Sequence, residues 1–223
     1  MGLIGYTVSV MIEDVDISHD AHSDAIAHLC AADPVLARII DAVGPYQLRR
    51  DPGHFYALFS SIVSQQISVR AAAAVMRRVE ALFPPDEGLT APGVVALGTD
   101  PLRTAGLSGQ KTRYVLDLAE RVAGASLDLE RVAALDDEEV IAALTQVKGI
   151  GRWTAEMFLI FSLGRPNVLP VDDLGFRTAV KRHYDLAELP RRDDLHALGA
   201  RWAPYRTVAT WYLWRSLNNA PGE

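Results

Sequence analysis

The chain has a single cysteine, Cys30, in 223 residues. One thiol cannot close an internal disulfide, nor can it supply a four-cysteine zinc or iron–sulfur site. A reducing, cytoplasmic setting is the expectation. Long hydrophobic runs are also missing: no stretch approaches the roughly 20 apolar residues that span a bilayer. The opening MGLIGYTVSVMIEDVDIS lacks the basic start and small-residue cleavage site of a secretory signal. Excess positive charge is absent too, since 22 Lys and Arg against 28 Asp and Glu give a net charge of −6 and a pI near 5.5. A basic total would point to nucleic acid; this one does not. The six histidines show no ligand spacing, so no catalytic metal is expected. Strand signals are weak, with only YTVSVMI at 6–12 alternating, and there is no repeat of solenoid period.

What is present is a 49% hydrophobic chain, long enough for one large domain or two small lobes. Its charge is unevenly spread. Acids gather at Glu13, Asp14, Asp16 and Asp20 and again in LDDEEV at 135–140, while basic residues are dense from Arg177 to Arg215. A local DNA surface is therefore permitted despite the acidic total. Helical patterning dominates. Asp33 can cap DPVLARIIDAVG, with Pro34 at the first helical position, where its missing N–H costs nothing. HFYALFSSIVSQQ carries a one-sided apolar stripe at 55, 58, 59, 62 and 63. Ser68 reads as the cap of VRAAAAVMRRVEALF.

PPDEGLTAPG at 84–93 reads as a loop, and QKTRYVLDLAERV as a helix after a glycine turn near Gly109. Asp136 with Glu139 makes a capping box for DEEVIAALTQV. RWTAEMFLIFSLG is apolar on nearly every side, as a central buried helix would be. Asp172 or Asp173 caps LGFRTAVKRHY, and Pro204 opens PYRTVATWYLWRSLNN.

Between two of these helices lies KGIGRWT. Glycines at 149 and 151 permit backbone angles closed to other residues and let another chain come close. The turn ends at a helix N-terminus, where unpaired N–H groups and the dipole favour an anion. A nucleic-acid phosphate fits such a site, with Lys148, Gly149, Ile150, Gly151 and Thr154 as its candidate contacts. Any αα-corner can carry two glycines, so the motif alone decides nothing.

Three motifs in order decide more. GIGRWTA, LPVDDLGFR and RWAPYRTVATWYLW resemble the helix–hairpin–helix DNA glycosylases, and within them the alkylbase branch of 3-methyladenine DNA glycosylase II type. The resemblance covers roughly residues 34–216. It implies an all-α, two-lobed helical bundle with a helix–hairpin–helix motif and a cleft between the lobes. The first 33 residues are then a segment either flexible or packed on the C-terminal lobe, too short for the extra β-domain that some members carry, and 217–223 form a tail. The lone cysteine removes the iron–sulfur branch.

The resemblance assigns an aspartate just after the hairpin to catalysis. Asp173 fits its register, with Phe176 three residues on and Arg177 four on; a register shifted by one selects Asp172 instead. A carboxylate at a helix N-terminus is rigidly placed and stays ionised. It can stabilise the oxocarbenium character that the sugar acquires as the base departs, and it can orient or deprotonate water. Such an acid could equally be only a cap. Where bifunctional members carry a lysine, two residues after the second glycine, this chain has Trp153. A monofunctional enzyme that leaves an abasic site is implied. Trp153, Met157, Leu174 and Trp214 are the implied base pocket, with Trp153 stacking on a cationic base; Met157 and Leu174 stand where better-matched relatives carry aromatics. Gln66, in SQQIS at 64–68, takes the position that fills the gap left by a flipped base.

The expected activity is hydrolysis of the N-glycosidic bond of alkylated purines of the 3-methyladenine and 7-methylguanine type. The partner is damaged double-stranded DNA, with no membrane, and a monomer suffices. No cofactor is required, although a monovalent cation at the hairpin carbonyls is a family expectation. Arg201, Arg206 and Arg215 are candidates for phosphate contact or for a solvated face. Three rivals remain: a non-catalytic helix–hairpin–helix DNA-binding module, a glycosylase for another lesion, and a helical protein-interaction domain.

Overall fold

The computed structural model describes residues 19–48 and 53–218. Every regular element among them is a helix: α1 His19–Ala32, α2 Pro34–Val43, α3 His54–Ser64, α4 Val69–Glu80, α5 Ala91–Leu97, α6 Thr99–Thr104, α7 Gly109–Ala123, α8 Leu129–Ala133, α9 Asp137–Leu144, α10 Arg152–Phe161, α11 Leu174–His183, α12 Arg192–Ala200 and α13 Arg206–Asn218. The fold class is all-α. The alternating stretch at 6–12 lies outside the described residues. None of the described helices is long and apolar enough to cross a membrane.

These helices fall into two compact units, one holding α3 to α10 and the other α1, α2 and α11 to α13. In the first, α7 lies against α3, α5 and α6, and α10 packs on α3 and α9. Leu58, Phe59, Ile62, Leu144, Phe158, Leu159 and Ile160 fill its interior. The apolar run of α10 is therefore central, as its pattern requires, but it also buries Glu156 at 4% exposure. In the second unit α2 lies between α1 and α13, and α11 packs on α13. Phe176, Leu195, Trp202, Tyr212 and Leu213 are wholly buried there with Leu29 and Leu36.

Capping residues punctuate the helices. Asp33, Ser68 and Ser108 each accept a backbone N–H from the first turn that follows. At α9 the Asp136 N–H donates to Glu139 Oε2 at 3.1 Å, the reciprocal half of a capping box. Three boundaries differ from the sequence reading. Gly109 begins α7 rather than preceding it. The loop at 84–93 ends early, because Thr90 Oγ1 accepts the Gly93 N–H at 3.2 Å and starts α5 at Ala91. The last helix starts at Arg206, not Pro204: the Tyr205 N–H is committed to the Trp202 carbonyl at 2.7 Å, which folds Arg201–Pro204 as a turn.

Asp33 does more than cap. Its Oδ1 takes the Val35 N–H at 2.9 Å and the Leu36 N–H at 3.3 Å. Its Oδ2 takes the Tyr184 hydroxyl at 2.7 Å and the Trp202 indole N–H at 3.0 Å. One carboxylate, 1% exposed, thus joins the α1–α2 junction to the end of α11 and to the turn before α13. Asp33→Ala strands two buried donors as well as a helix end. It is expected to cost roughly 3–5 kcal/mol, read as a lower urea midpoint at unchanged slope. A loss below about 1 kcal/mol would mean that apolar packing alone joins these elements.

Candidate functional site

The turn between α9 and α10 is built around Gly149 and Ile150. Gly149 has φ +85, and a Cβ there would lie 2.1 Å from the Tyr114 ring. Only glycine allows both the left-handed backbone and the aromatic floor beneath it. Ile150 is 4% exposed and anchors the turn in the core. Gly151 differs: its backbone is extended, φ −96 and ψ 176, and a Cβ would meet nothing within 4 Å. No side chain caps α10 at Gly151, so its first turn is built as an anion site would be.

The hairpin's two cations are already engaged. Asp117, on α7, accepts the Lys148 backbone N–H at 3.0 Å, and its other oxygen pairs with Lys148 Nζ at 3.2 Å. Burial alone would raise the Asp117 pKa, but the Lys148 N–H, Arg121 and the Lys148 ammonium outweigh it and hold the carboxyl below its ordinary range. Arg152, the first residue of α10, donates to Glu138 of α9 at 2.9 Å and to the buried Glu156 at 3.0 Å. Glu138 is held low, first by the hydrogen bond from Arg152 and against a smaller effect of burial, and the Arg152 pKa is raised in turn. Both arms of the hairpin are therefore stapled by side chains outside the GIG motif.

A second feature faces the same turn. Gln65 donates from Nε2 to the Gly149 carbonyl at 2.9 Å, linking the α3–α4 junction to the hairpin. Lys111 Nζ grips the Val63 carbonyl at 2.6 Å and so holds the end of α3; burial lowers the Lys111 pKa. Between these supports Gln66 is exposed and adopts φ +57, an uncommon backbone for a residue with a side chain. Trp153 and Met157 are half-buried along α10. Thr154, the third residue of α10, is 4% exposed.

The other unit carries the two candidate acids. Asp173 is the N-cap of α11 and is 7% exposed. Its Oδ1 accepts the Phe176 N–H at 2.6 Å and the Trp214 indole N–H at 2.8 Å. Gly175 lets these groups close together, since a Cβ there would lie 3.2 Å from Asp173 Oδ1 and 3.4 Å from the Trp214 ring. Leu174 beside them is 46% exposed, unusual for leucine. Asp172 is turned elsewhere, in a two-point ion pair with Arg192 at 2.6 and 2.7 Å. Asp173, Leu174 and Trp214 thus come together, and Asp172 does not join them. The three arginines expected near phosphate have partners of their own. Arg206 donates to the Gly199 carbonyl at 3.0 Å, Arg215 lies 5.8 Å from the Trp211 ring centre, and Arg201 stands 4.0 Å from Asp33.

The architecture is that of a helical protein with a glycine-turned hairpin at an uncapped helix start and a buried, donor-held carboxylate. Residues 59–204 match the HhH-GPD superfamily base excision DNA repair proteins. The chain is 33% identical over 193 residues to DNA-3-methyladenine glycosylase 1 of Schizosaccharomyces pombe, covering 85% of each. Among solved structures it resembles the 3-methyladenine DNA glycosylase of that yeast in complex with abasic DNA, with a TM-score of 0.78, 32% identity, and 86% and 95% of the two chains covered. The DNA-3-methyladenine glycosidase of Bacillus halodurans gives 0.77 at 39% identity, over 85% and 87%. The chain belongs to the HhH-GPD superfamily of base excision DNA repair proteins.

Residues that pattern reading missed are the supports: Gln65, Tyr114, Asp117, Glu138 and Glu156. Two outcomes follow from them. Gly149→Ala meets both the Tyr114 ring and a disfavoured φ and should cost at least about 2 kcal/mol in urea unfolding, whereas Gly151→Ala should leave stability unchanged. Equal effects would contradict the division of labour between the glycines. The depressed Asp117 carboxyl contributes stability that is present above its ordinary pKa of 3.8 and is lost as pH falls through the lower folded-state value. The acid-induced fall in unfolding free energy should therefore be smaller in Asp117→Asn than in the wild type.

Proposed function

We propose that the chain is a monofunctional DNA glycosylase that flips alkylated purines of the 3-methyladenine and 7-methylguanine type out of duplex DNA, hydrolyses the N-glycosidic bond and leaves an abasic site. The observation that carries this reading is Asp173. A carboxylate at a helix N-terminus, held on one oxygen by a backbone N–H and an indole N–H, is fixed in place before any substrate arrives. The names of the relatives point to the same substrates and to DNA as partner.

The chemistry asks little more of the protein. An alkylated purine already carries positive charge, so the C1′–N bond breaks with its electron pair passing to the base, and no general acid is needed. Asp173 stabilises the oxocarbenium character left on the sugar. Water attacks C1′ and its proton passes to the carboxylate. Trp153 gives the cationic base an aromatic face, and Gln66, held out on its left-handed turn, enters the gap in the duplex.

Strand cleavage would need an amine to attack C1′. Trp153 stands where that lysine would be, and the Lys148 ammonium is paired with Asp117. Among the described residues no cluster of His, Cys, Asp or Glu could hold a metal ion. The Val147 and Gly149 carbonyls each accept one hydrogen bond and keep a second lone pair. They could help to hold a monovalent cation that steadies the hairpin; the hydrolysis itself needs none. One monomer suffices to act on one flipped base.

The test is single-turnover release of base from methylated duplex DNA, with and without alkali. Wild type should release methylpurine and yield strand breaks only after alkali. Asp173→Asn should lose about a hundredfold or more, and Asp172→Asn, whose carboxylate is tied to Arg192, should keep most of the rate. Full activity in Asp173→Asn would overturn the assignment. DNA binding without base release by the wild type would leave a binding module or another lesion as the better reading.

A further inference from the structure

The net charge of −6 and the engagement of Lys148 and Arg152 by acids raise one question: which side chains meet the phosphate backbone? The answer is sought on α11, the helix that starts at Asp173. One side of it runs from Leu174 to Thr178, four residues on, and then to Lys181 and Arg182, three and four residues beyond Thr178. Beyond Thr178 this stripe forms an open depression of about 410 Å³ lined by Thr178, Lys181, Arg182, Asp185 and Leu186. Among the described residues, neither the Lys181 nor the Arg182 side chain takes part in a hydrogen bond or a salt bridge.

Basic residues in the last turn of a helix are common, because they offset the dipole. That alone would explain Lys181 and Arg182. It would not explain why both cations line one concavity, or why that concavity continues the exposed stripe that begins beside Asp173. The local field is positive as well. His183 is held below its ordinary pKa by burial and then by Arg182 and Arg38, with Asp185 as the opposing charge. Two cations and one acid leave the depression with a net positive charge.

We propose that this depression is a second DNA-backbone contact, in which Lys181 and Arg182 hold phosphate of the duplex on the same helix that presents Asp173. Seven residues of helix separate Leu174 from Lys181, about 10 Å. Phosphates on one strand recur about every 3.4 Å along the duplex axis, so the contact falls about three nucleotides from the one being cleaved. Thr178 donates its hydroxyl to the Leu174 carbonyl at 2.7 Å, which leaves its oxygen turned to the helix and the two cations as the phosphate ligands. The inference rests on the glycosylase reading only in using Asp173 to mark where the reacting nucleotide sits.

The experiment measures affinity against salt for the full chain and for Lys181→Ala/Arg182→Ala. The probes are a methylated duplex reaching a full helical turn either side of the lesion, an undamaged duplex of the same length, and a methylated duplex ending two nucleotides from the lesion. The double variant should bind both long duplexes more weakly, with a salt slope lower by about 2. On the short duplex it should match the wild type, and Lys181→Arg/Arg182→Ala, which keeps one cation, should recover about half of the lost slope. An unchanged slope on the long duplexes, or an equal loss on the short one, would overturn the proposal. If the wild type binds with the full slope but releases no base, the glycosylase reading fails and the phosphate contact stands.

Discussion

Placement of the candidate catalytic group depends on one interaction, the sharing of Asp173 Oδ1 between the Phe176 N–H and the Trp214 indole N–H. The first bond belongs to α11 and would exist in any well-capped helix. The second comes from α13, forty-one residues away in the chain, and turns a local cap into a fixed point between two helices. Gly175 is what lets them meet, because a side chain there would press on both Asp173 and the Trp214 ring. The same device recurs at Asp33, where a helix cap also receives an indole N–H, from Trp202. There the second oxygen is taken by Tyr184 as well, and the carboxylate is sealed at 1% exposure. Asp173 is 7% exposed and borders the half-exposed Leu174, so the two aspartates use one physical solution for different ends.

The hairpin follows a different logic. Its exposed cations pair with the protein's own acids, Lys148 with Asp117 of α7 and Arg152 with Glu138 of α9 and Glu156 of α10. What the turn then offers an anion is backbone: the uncapped first turn of α10 and the open space beside Gly151. Backbone donors cannot be withdrawn by a rotamer change, and they recognise phosphate without regard to base sequence. That suits a protein that must scan many sites for one damaged base. Gln65 extends the arrangement by tying the Gly149 carbonyl to the junction that presents Gln66. A displaced hairpin would therefore also displace the residue proposed to enter the duplex.

Much of this was legible in the chain because the signals are local. Asp33-Pro34, Ser68 and the Asp136–Glu139 pair act within four residues of themselves, and all three mark helix starts. The ordered motifs brought the family, and the family brought Asp173. Short helices escaped notice: α5, α6 and α8 span seven, six and five residues, too few for a 3.6-residue period to show. α1 escaped for another reason, as its histidines and aspartates blur the apolar stripe by which Ala25 and Leu29 join the core. The choice between Asp172 and Asp173 could not be settled by spacing. The two differ in the fold: Asp172 pairs with Arg192, twenty residues away, whereas Asp173 caps α11 and meets Trp214.

Residue type alone left Thr154 and Arg206 open, and the fold adds only part of an answer. Thr154 sits at the third position of α10 and is 4% exposed as a residue. Arg206 commits its Nε–H to the Gly199 carbonyl at the end of α12 and keeps its remaining donors. Net charge misleads for a related reason. The total says nothing of distribution: Asp117, Glu138 and Asp172 sit beside cations and Asp33 caps a helix, while α11 from Leu174 to His183 carries no acid. Charge that is internally matched contributes little field outside the molecule. What a polyanion meets is the unmatched remainder, and on α11 that remainder is positive.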